Sequence, residues 1–142
     1  MSLRRENYRE RLIDAKITKY LKIFGSICIE GPKWCGKTWT ALNHANSATY
    51  MTEKSSQDLA NIDPKYIFTA EKPQLIDEWQ IVPSIWDSVR NECDKDHNKG
   101  KFILTGSTSL SKEDLETKIY HTGTGRIASM NMYPMSLYES GW

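Results

Sequence analysis

Apolar positions recur at two spacings along this chain. Near the N-terminus, Leu12, Ile13, Ile17, Tyr20, Leu21 and Phe24 return every three or four residues. That is the repeat of one helix face, and it predicts an amphipathic helix over residues 9–23, ended by Gly25. Short apolar runs then alternate with helix-compatible stretches. SICIE at 26–30 reads as a buried strand, and KTWTALNHAN at 37–46 as a helix with Ala41, Leu42 and Ala45 on one side. Residues 48–51 form a second strand, and 57–62 a short helix stopped by Asp63-Pro64. Leu75-Ile76 begins a third strand that runs into Asp77-Glu78. Ile85, Trp86 and Val89 mark a helix from Pro83-Ser84 to about Cys93, followed by the polar turn DKDHNKG. Phe102-Ile103-Leu104 is a fourth, buried strand closed by Thr105-Gly106-Ser107. Residues 112–118 are a charged helical or loop segment, and 127–132 a fifth strand ended by Pro134. Strands alternating with helices predict an α/β sandwich around a mostly parallel sheet.

Length and composition narrow the class. At 142 residues the chain suits one compact domain, and 39% hydrophobic with 26% charged residues describes a globular protein. No run of eighteen apolar residues is present, so no membrane-spanning helix is expected. The start, MSLRRENYRERL, is charged and unlike a signal peptide. Cys28, Cys35 and Cys93 have no metal-ligand spacing, and their odd number speaks for reduced thiols in a cytoplasmic protein. His44, His97 and His121 have no ligand spacing either. The net charge of +1 is no general nucleic-acid footprint. Residues 1–22 carry seven basic and three acidic side chains, net +4. That face of the first helix offers a weak case for DNA contact against the commoner solvated helix face.

The chemistry enters with GPKWCGKT, Gly31 to Thr38, which fills G-x-x-x-x-G-K-[ST] at every fixed position. Such a loop cradles phosphates with backbone N–H groups, a lysine and a hydroxyl that holds Mg²⁺. Composition alone produces this match in a chain this short on the order of half a per cent of the time, and a strand before it with a helix after it is the context the motif requires. The fold sharpens to a three-layer P-loop NTPase sandwich with an N-terminal amphipathic helix. The cofactor-binding residues are Gly31, Pro32, Lys33, Trp34, Cys35, Gly36, Lys37, Thr38 and Trp39. Gly31 and Gly36 permit tight turns and close phosphate approach. Lys37 reaches the β- and γ-phosphates, and Thr38 ligates Mg²⁺. Lys33 has a solvated side chain as its plainer reading, while Trp34 sits where it can flank the nucleotide. Alkylation of Cys35, inside the loop, is expected to block binding. Trp39, Trp79 and Trp86 read otherwise as packing residues.

Asp77-Glu78 lies at the end of a strand downstream of this loop. Asp77 reads as the Mg²⁺ residue and Glu78 as the base that polarises the attacking water. Only two apolar residues precede Asp77 and Pro73 is close by, so the strand is short for a buried one. Ser107, just past the FIL run, is placed to hydrogen-bond the γ-phosphate or the water. Thr105 and Thr108 compete for that role, and a turn residue is the plainer alternative. Arg126, in TGTGRI, is a candidate for neutralising the transferring phosphoryl group; a surface ion pair is its alternative.

Four blocks in order, GPKWCGKTWTA, LIDEWQIVPSIWDSVR, FILTGST and TGRIASMNMYPMSLYES, resemble the prokaryotic AAA-type ATPases described only as "predicted ATPase, AAA superfamily". The resemblance runs from about Leu12 to Ser140. It implies an ATP-binding core with Lys37 and Thr38 on phosphate and Mg²⁺, Asp77 on Mg²⁺, Glu78 as the base and Ser107 at the sensor position. Arg126 matches the recurring GR. Ser107 departs from the asparagine common at that position in the wider superfamily. Relatives of this type are longer and carry a C-terminal domain resembling a nuclease or DNA-linked module. Residues 1–142 therefore read as the ATPase core of a longer protein.

The expected function is Mg²⁺-dependent ATP binding and hydrolysis by water attack on the γ-phosphate. A nucleotide-gated switch with negligible turnover is the alternative. A small-molecule kinase is a third reading, opposed by the Asp77-Glu78 pair, because activated water would waste the ATP.

Overall fold

A computed structural model describes residues 11–32, 35–95, 98–107 and 127–132. Five strands form one sheet in the order β2-β3-β4-β1-β5, with every pairing parallel. They are β1 (Ser26–Gly31), β2 (Ser47–Tyr50), β3 (Gln74–Asp77), β4 (Phe102–Ser107) and β5 (Ile127–Asn131). The helices are α1 (Asp14–Leu21), α2 (Lys37–His44), α3 (Lys54–Ile62) and α4 (Ser84–Lys95). Two short 3-10 turns, Pro64–Ile67 and Trp79–Ile81, complete the described elements.

The three layers follow from strand alternation, because successive side chains of a strand point to opposite faces. Ile27, Ile29, Leu75 and Ile103 meet Ile17 of α1 and Ala41 and Leu42 of α2 on one face. Cys28, Ile76, Phe102 and Leu104 meet Ala60 of α3 and Ile85, Trp86 and Val89 of α4 on the other. β1, β3 and β4 are buried almost throughout, as central parallel strands with helices on both sides must be. The α/β sandwich expected from the sequence is the fold observed.

The observed boundaries depart from expectation, most clearly in α1 and β4. The first helix covers Asp14–Leu21 rather than 9–23. Ile13 precedes it without a side-chain cap, the Asp14 carboxylate instead accepts from the Arg11 N–H upstream at 2.6 Å, and Lys22, not Gly25, closes it. β4 does not stop at Leu104 but carries Thr105, Gly106 and Ser107 inside the strand. β3, short as expected, is nonetheless buried at all four positions because it lies between β2 and β4. The 112–118 segment lies outside the described residues.

Since Ile103 is fully buried in the α1/α2 face, Ile103→Ala should cost about 2–5 kcal/mol from lost transfer energy and the cavity left behind. A shift of the urea unfolding midpoint at unchanged slope is the measurement; a loss below 1 kcal/mol would contradict this packing.

Candidate functional site

Parallel strands bring their carboxyl ends to one edge, and register aligns them there. Gly31 pairs with Ser107, and Ile76 with Leu104. Alternation then selects the face. Gly31, Asp77, Thr105 and Ser107 continue the series of Ile29, Leu75 and Ile103, so they lie on the side where α2 packs. The first turn of α2 carries Lys37 and Thr38. Its leading N–H groups have no intrahelical acceptors, and the helix dipole makes that end favourable for an anion.

Two adjacent hydrogen-bonded groups result. In the first, Thr38 Oγ1 donates to Asp77 Oδ1 at 2.8 Å and Thr105 Oγ1 donates to the same oxygen at 2.7 Å. Asp77 is only 7% exposed. In the second, Lys37 Nζ lies 3.4 Å from Glu78 Oε1 and donates to Ser107 Oγ at 3.1 Å, while Ser107 Oγ donates to Glu78 Oε1 at 2.8 Å. Gln80 Nε2 donates to the other oxygen, Glu78 Oε2, at 2.5 Å.

Adjacent residues of an extended strand would send Asp77 and Glu78 to opposite faces. The backbone prevents this by turning left-handed at Glu78, with φ 57° and ψ 52°. Such a conformation costs about 1–3 kcal/mol for a residue with a side chain. It is held by the Glu78 N–H, which donates to Thr105 Oγ1 at 3.0 Å. One threonine hydroxyl thus fixes both carboxylates, as donor to the first and acceptor from the backbone of the second. Burial works against charge on Glu78, but the hydrogen bonds from Gln80 and Ser107 and the Lys37 ammonium outweigh it. They hold its pKa below the ordinary 4.5.

Thr38 and Asp77 present hard oxygen donors side by side, the donor type that suits Mg²⁺. Among the described residues no group of three or more His, Cys, Asp or Glu is placed to hold a metal.

Gly36 ends the loop in the left-handed region, φ 89°, where a side chain would be strained. Gly31 has a different constraint. A Cβ there would stand 2.5 Å from the Met132 carbonyl oxygen and 2.9 Å from Cys35 Sγ. Pro32 O accepts from the Cys35 N–H at 3.4 Å. Cys35 itself is buried, so a thiol reagent reaches it only if the loop opens. Trp39 is 46% exposed, unlike Trp79 and Trp86, which stack in the core at 4.9 Å. His44 pairs with Asp14 at 2.7 Å, on the far end of α2 from the site.

Of the sequence candidates, Lys37, Thr38, Asp77, Glu78 and Ser107 come together. Lys33, Trp34, Thr108, Arg126, His97 and His121 lie outside the described residues. Sequence reasoning missed the bridging role of Thr105 and the clamp of Gln80. Strand alternation, continued two residues past Ile103, was the signal for Thr105; a left-handed turn left none for Gln80.

A family model described as "AAA domain" matches residues 24–141. No curated protein matches the chain. Among solved structures, the crystal structure of the DnaC helicase loader aligns over 90% of this chain and 96% of that one, at 11% identity and a TM-score of 0.47. Among the described residues no helix is long and apolar enough to cross a membrane.

Thr105→Val keeps the shape and removes the hydroxyl, leaving a buried carboxylate oxygen and an N–H each short of a partner. A loss of about 1–3 kcal/mol in chemical denaturation is expected; an unchanged midpoint would contradict the bridge. The lowered pKa of Glu78 means its contribution to stability is present above about pH 4.5 and is lost as pH falls through the folded-state value. Glu78→Gln should therefore lose less stability than the wild type between about pH 5 and pH 3. Parallel melting curves across that range would refute the assignment.

Proposed function

The chain belongs to the AAA domain family, and we propose that it binds ATP with Mg²⁺ where β1, β3 and β4 end, and hydrolyses it with Glu78 as the base. The observation that carries this reading is the arrangement of Glu78. Its carboxyl group is held below its ordinary pKa by Gln80, Ser107 and Lys37, next to the Thr38–Asp77 oxygen pair.

The triphosphate enters the loop of residues 31–38, and Lys37 exchanges the Glu78 carboxylate for phosphate oxygens. Lys37 is 5% exposed, so its ammonium needs a counter-charge, and phosphate supplies more of it than one carboxylate does. That exchange frees Glu78 to accept a hydrogen bond from water. Its carboxylate takes the proton as the water oxygen attacks the γ-phosphorus, and the bond to the β-phosphate oxygen breaks toward ADP. Ser107 loses the same partner and turns its hydroxyl toward the transferred group. The Mg²⁺ held by Thr38 and Asp77 supplies neutralising charge for the phosphates when bound. Trp39 offers a half-exposed ring beside Thr38 for the base. Lys33, Trp34 and Arg126 enter the proposal on sequence grounds, Arg126 as a charge on the transferred phosphoryl group.

A nucleotide-gated switch is favoured by one feature of the same cage. When Lys37 leaves, Gln80 still holds Glu78 Oε2, which restrains it from water.

Phosphate release with Mg²⁺ and ATP distinguishes the two. Glu78→Gln should lower the rate at least about 100-fold with ATP affinity within about threefold of wild type, and EDTA should abolish turnover. Equal release by both proteins would sink the role of Glu78. Tight ATP binding with no release from the wild type would establish the switch instead.

A further inference from the structure

The chain ahead of α1 reaches the phosphate loop. Arg11 Nη1 donates to the Cys35 carbonyl at 2.7 Å, although the residues are 24 apart in sequence. Arg11 is only 6% exposed. The same nitrogen lies 2.8 Å from where a Cβ on Gly36 would stand, so the guanidinium fills the space that the glycine leaves. The neighbouring Asp14 grips the other end of α2. Its Oδ1 meets His44 Nε2 at 2.7 Å and accepts from Asn43 Nδ2 at 3.4 Å, while its Oδ2 accepts from the Arg11 N–H. Residues 11–14 therefore hold α2 at both ends, at the loop that opens it and in its last turn.

The peptide bond turns that contact into a statement about the site. A trans peptide is planar, with its C=O and its N–H pointing in opposite directions. Fixing the Cys35 carbonyl from one side fixes the Gly36 N–H toward the other. The Gly36 N–H is one of the amides that a G-x-x-x-x-G-K loop offers to phosphate. Glycine at this position makes the peptide easy to flip, since its φ of 89° and the alternatives are similar in cost without a side chain. A donor on the carbonyl opposes that flip. It also sets a positive charge behind the loop, where it adds to the attraction for a polyphosphate.

We propose that Arg11 is a positioning residue for nucleotide binding, holding the Cys35–Gly36 peptide so that its N–H faces the phosphates. This rests on the ATP-binding reading above. Arg11 takes no part in the chemistry and needs no contact with the nucleotide. Its effect is on affinity for the phosphate moiety, ahead of any hydrolytic step.

Calorimetric titration of the protein with ADP and with inorganic pyrophosphate tests it, using wild type, Arg11→Ala and Arg11→Lys. The expected result is a loss of about tenfold in affinity for both ligands in Arg11→Ala. Arg11→Lys, which keeps the charge and can donate one hydrogen bond, should recover at least about threefold of it. Affinities in Arg11→Ala within about twofold of wild type would overturn the assignment. So would a loss for ADP without one for pyrophosphate, or Arg11→Ala and Arg11→Lys variants indistinguishable from each other. Should Arg11→Ala not fold, Arg11→Gln is compared with Arg11→Lys in the same way. A wild type that binds neither ligand refutes the ATP-binding reading itself, a separate outcome.

Discussion

A lysine ammonium almost fully out of water needs an opposite charge, and the site is arranged around that requirement. Lys37 reaches its partners only if α2 starts close to the carboxyl ends of β3 and β4. Glu78 comes from the residue after β3, and Ser107 from the last residue of β4. One buried cation therefore links a helix and two strands that are distant in sequence. Coulomb attraction in this partly buried setting is several times stronger than at an open surface, which is what makes the link effective. In the proposed function the pairing is provisional, because a polyphosphate offers the ammonium a better counter-charge than a single carboxylate.

The second constraint is geometric. Two neighbouring carboxylates serve one cleft only if the backbone turns between them. The left-handed residue at Glu78 does this, and Thr105 holds it in place with a single hydroxyl. The cost of the turn is local and the gain is local too. Asp77 remains on the oxygen pair with Thr38 while Glu78 swings to Lys37. Backbone strain of this kind persists only where its surroundings hold it, as Thr105 does here.

Much of this was legible in the sequence. The apolar runs at 26–30 and 102–104 announced buried strands, and the loop between Gly31 and Thr38 announced phosphate chemistry. The parallel sheet followed from the alternation of strands and helices. The nearness of Asp77 to Thr38 was foreshadowed by an acidic residue at a strand end downstream of the glycine loop. Other features depended on backbone geometry that a residue list does not carry. FILTGS looked like a strand with a turn after it, because Thr, Gly and Ser are turn formers; pairing of Gly31 with Ser107 overrides that preference and keeps all six residues extended. The first helix looked longer because its apolar spacing continues to Phe24, but its regular hydrogen bonding covers only Asp14–Leu21, with Lys22 as its C-cap. Arg11 counted as one more charge on a basic face, and only the fold placed it against the Cys35 carbonyl.

Gly31 carries a last consequence. The carbonyl of Met132, one residue past β5, rests where any side chain at 31 would be, and the Met132 N–H donates to Glu30 O at 2.7 Å. Among the described residues β5 is an edge strand paired only with β1. Gly31 is thus seated against the residue that follows the border strand. With so little room between them, a displacement of Met132 would press on Gly31, and a shift of Gly31 would press on Met132 in return.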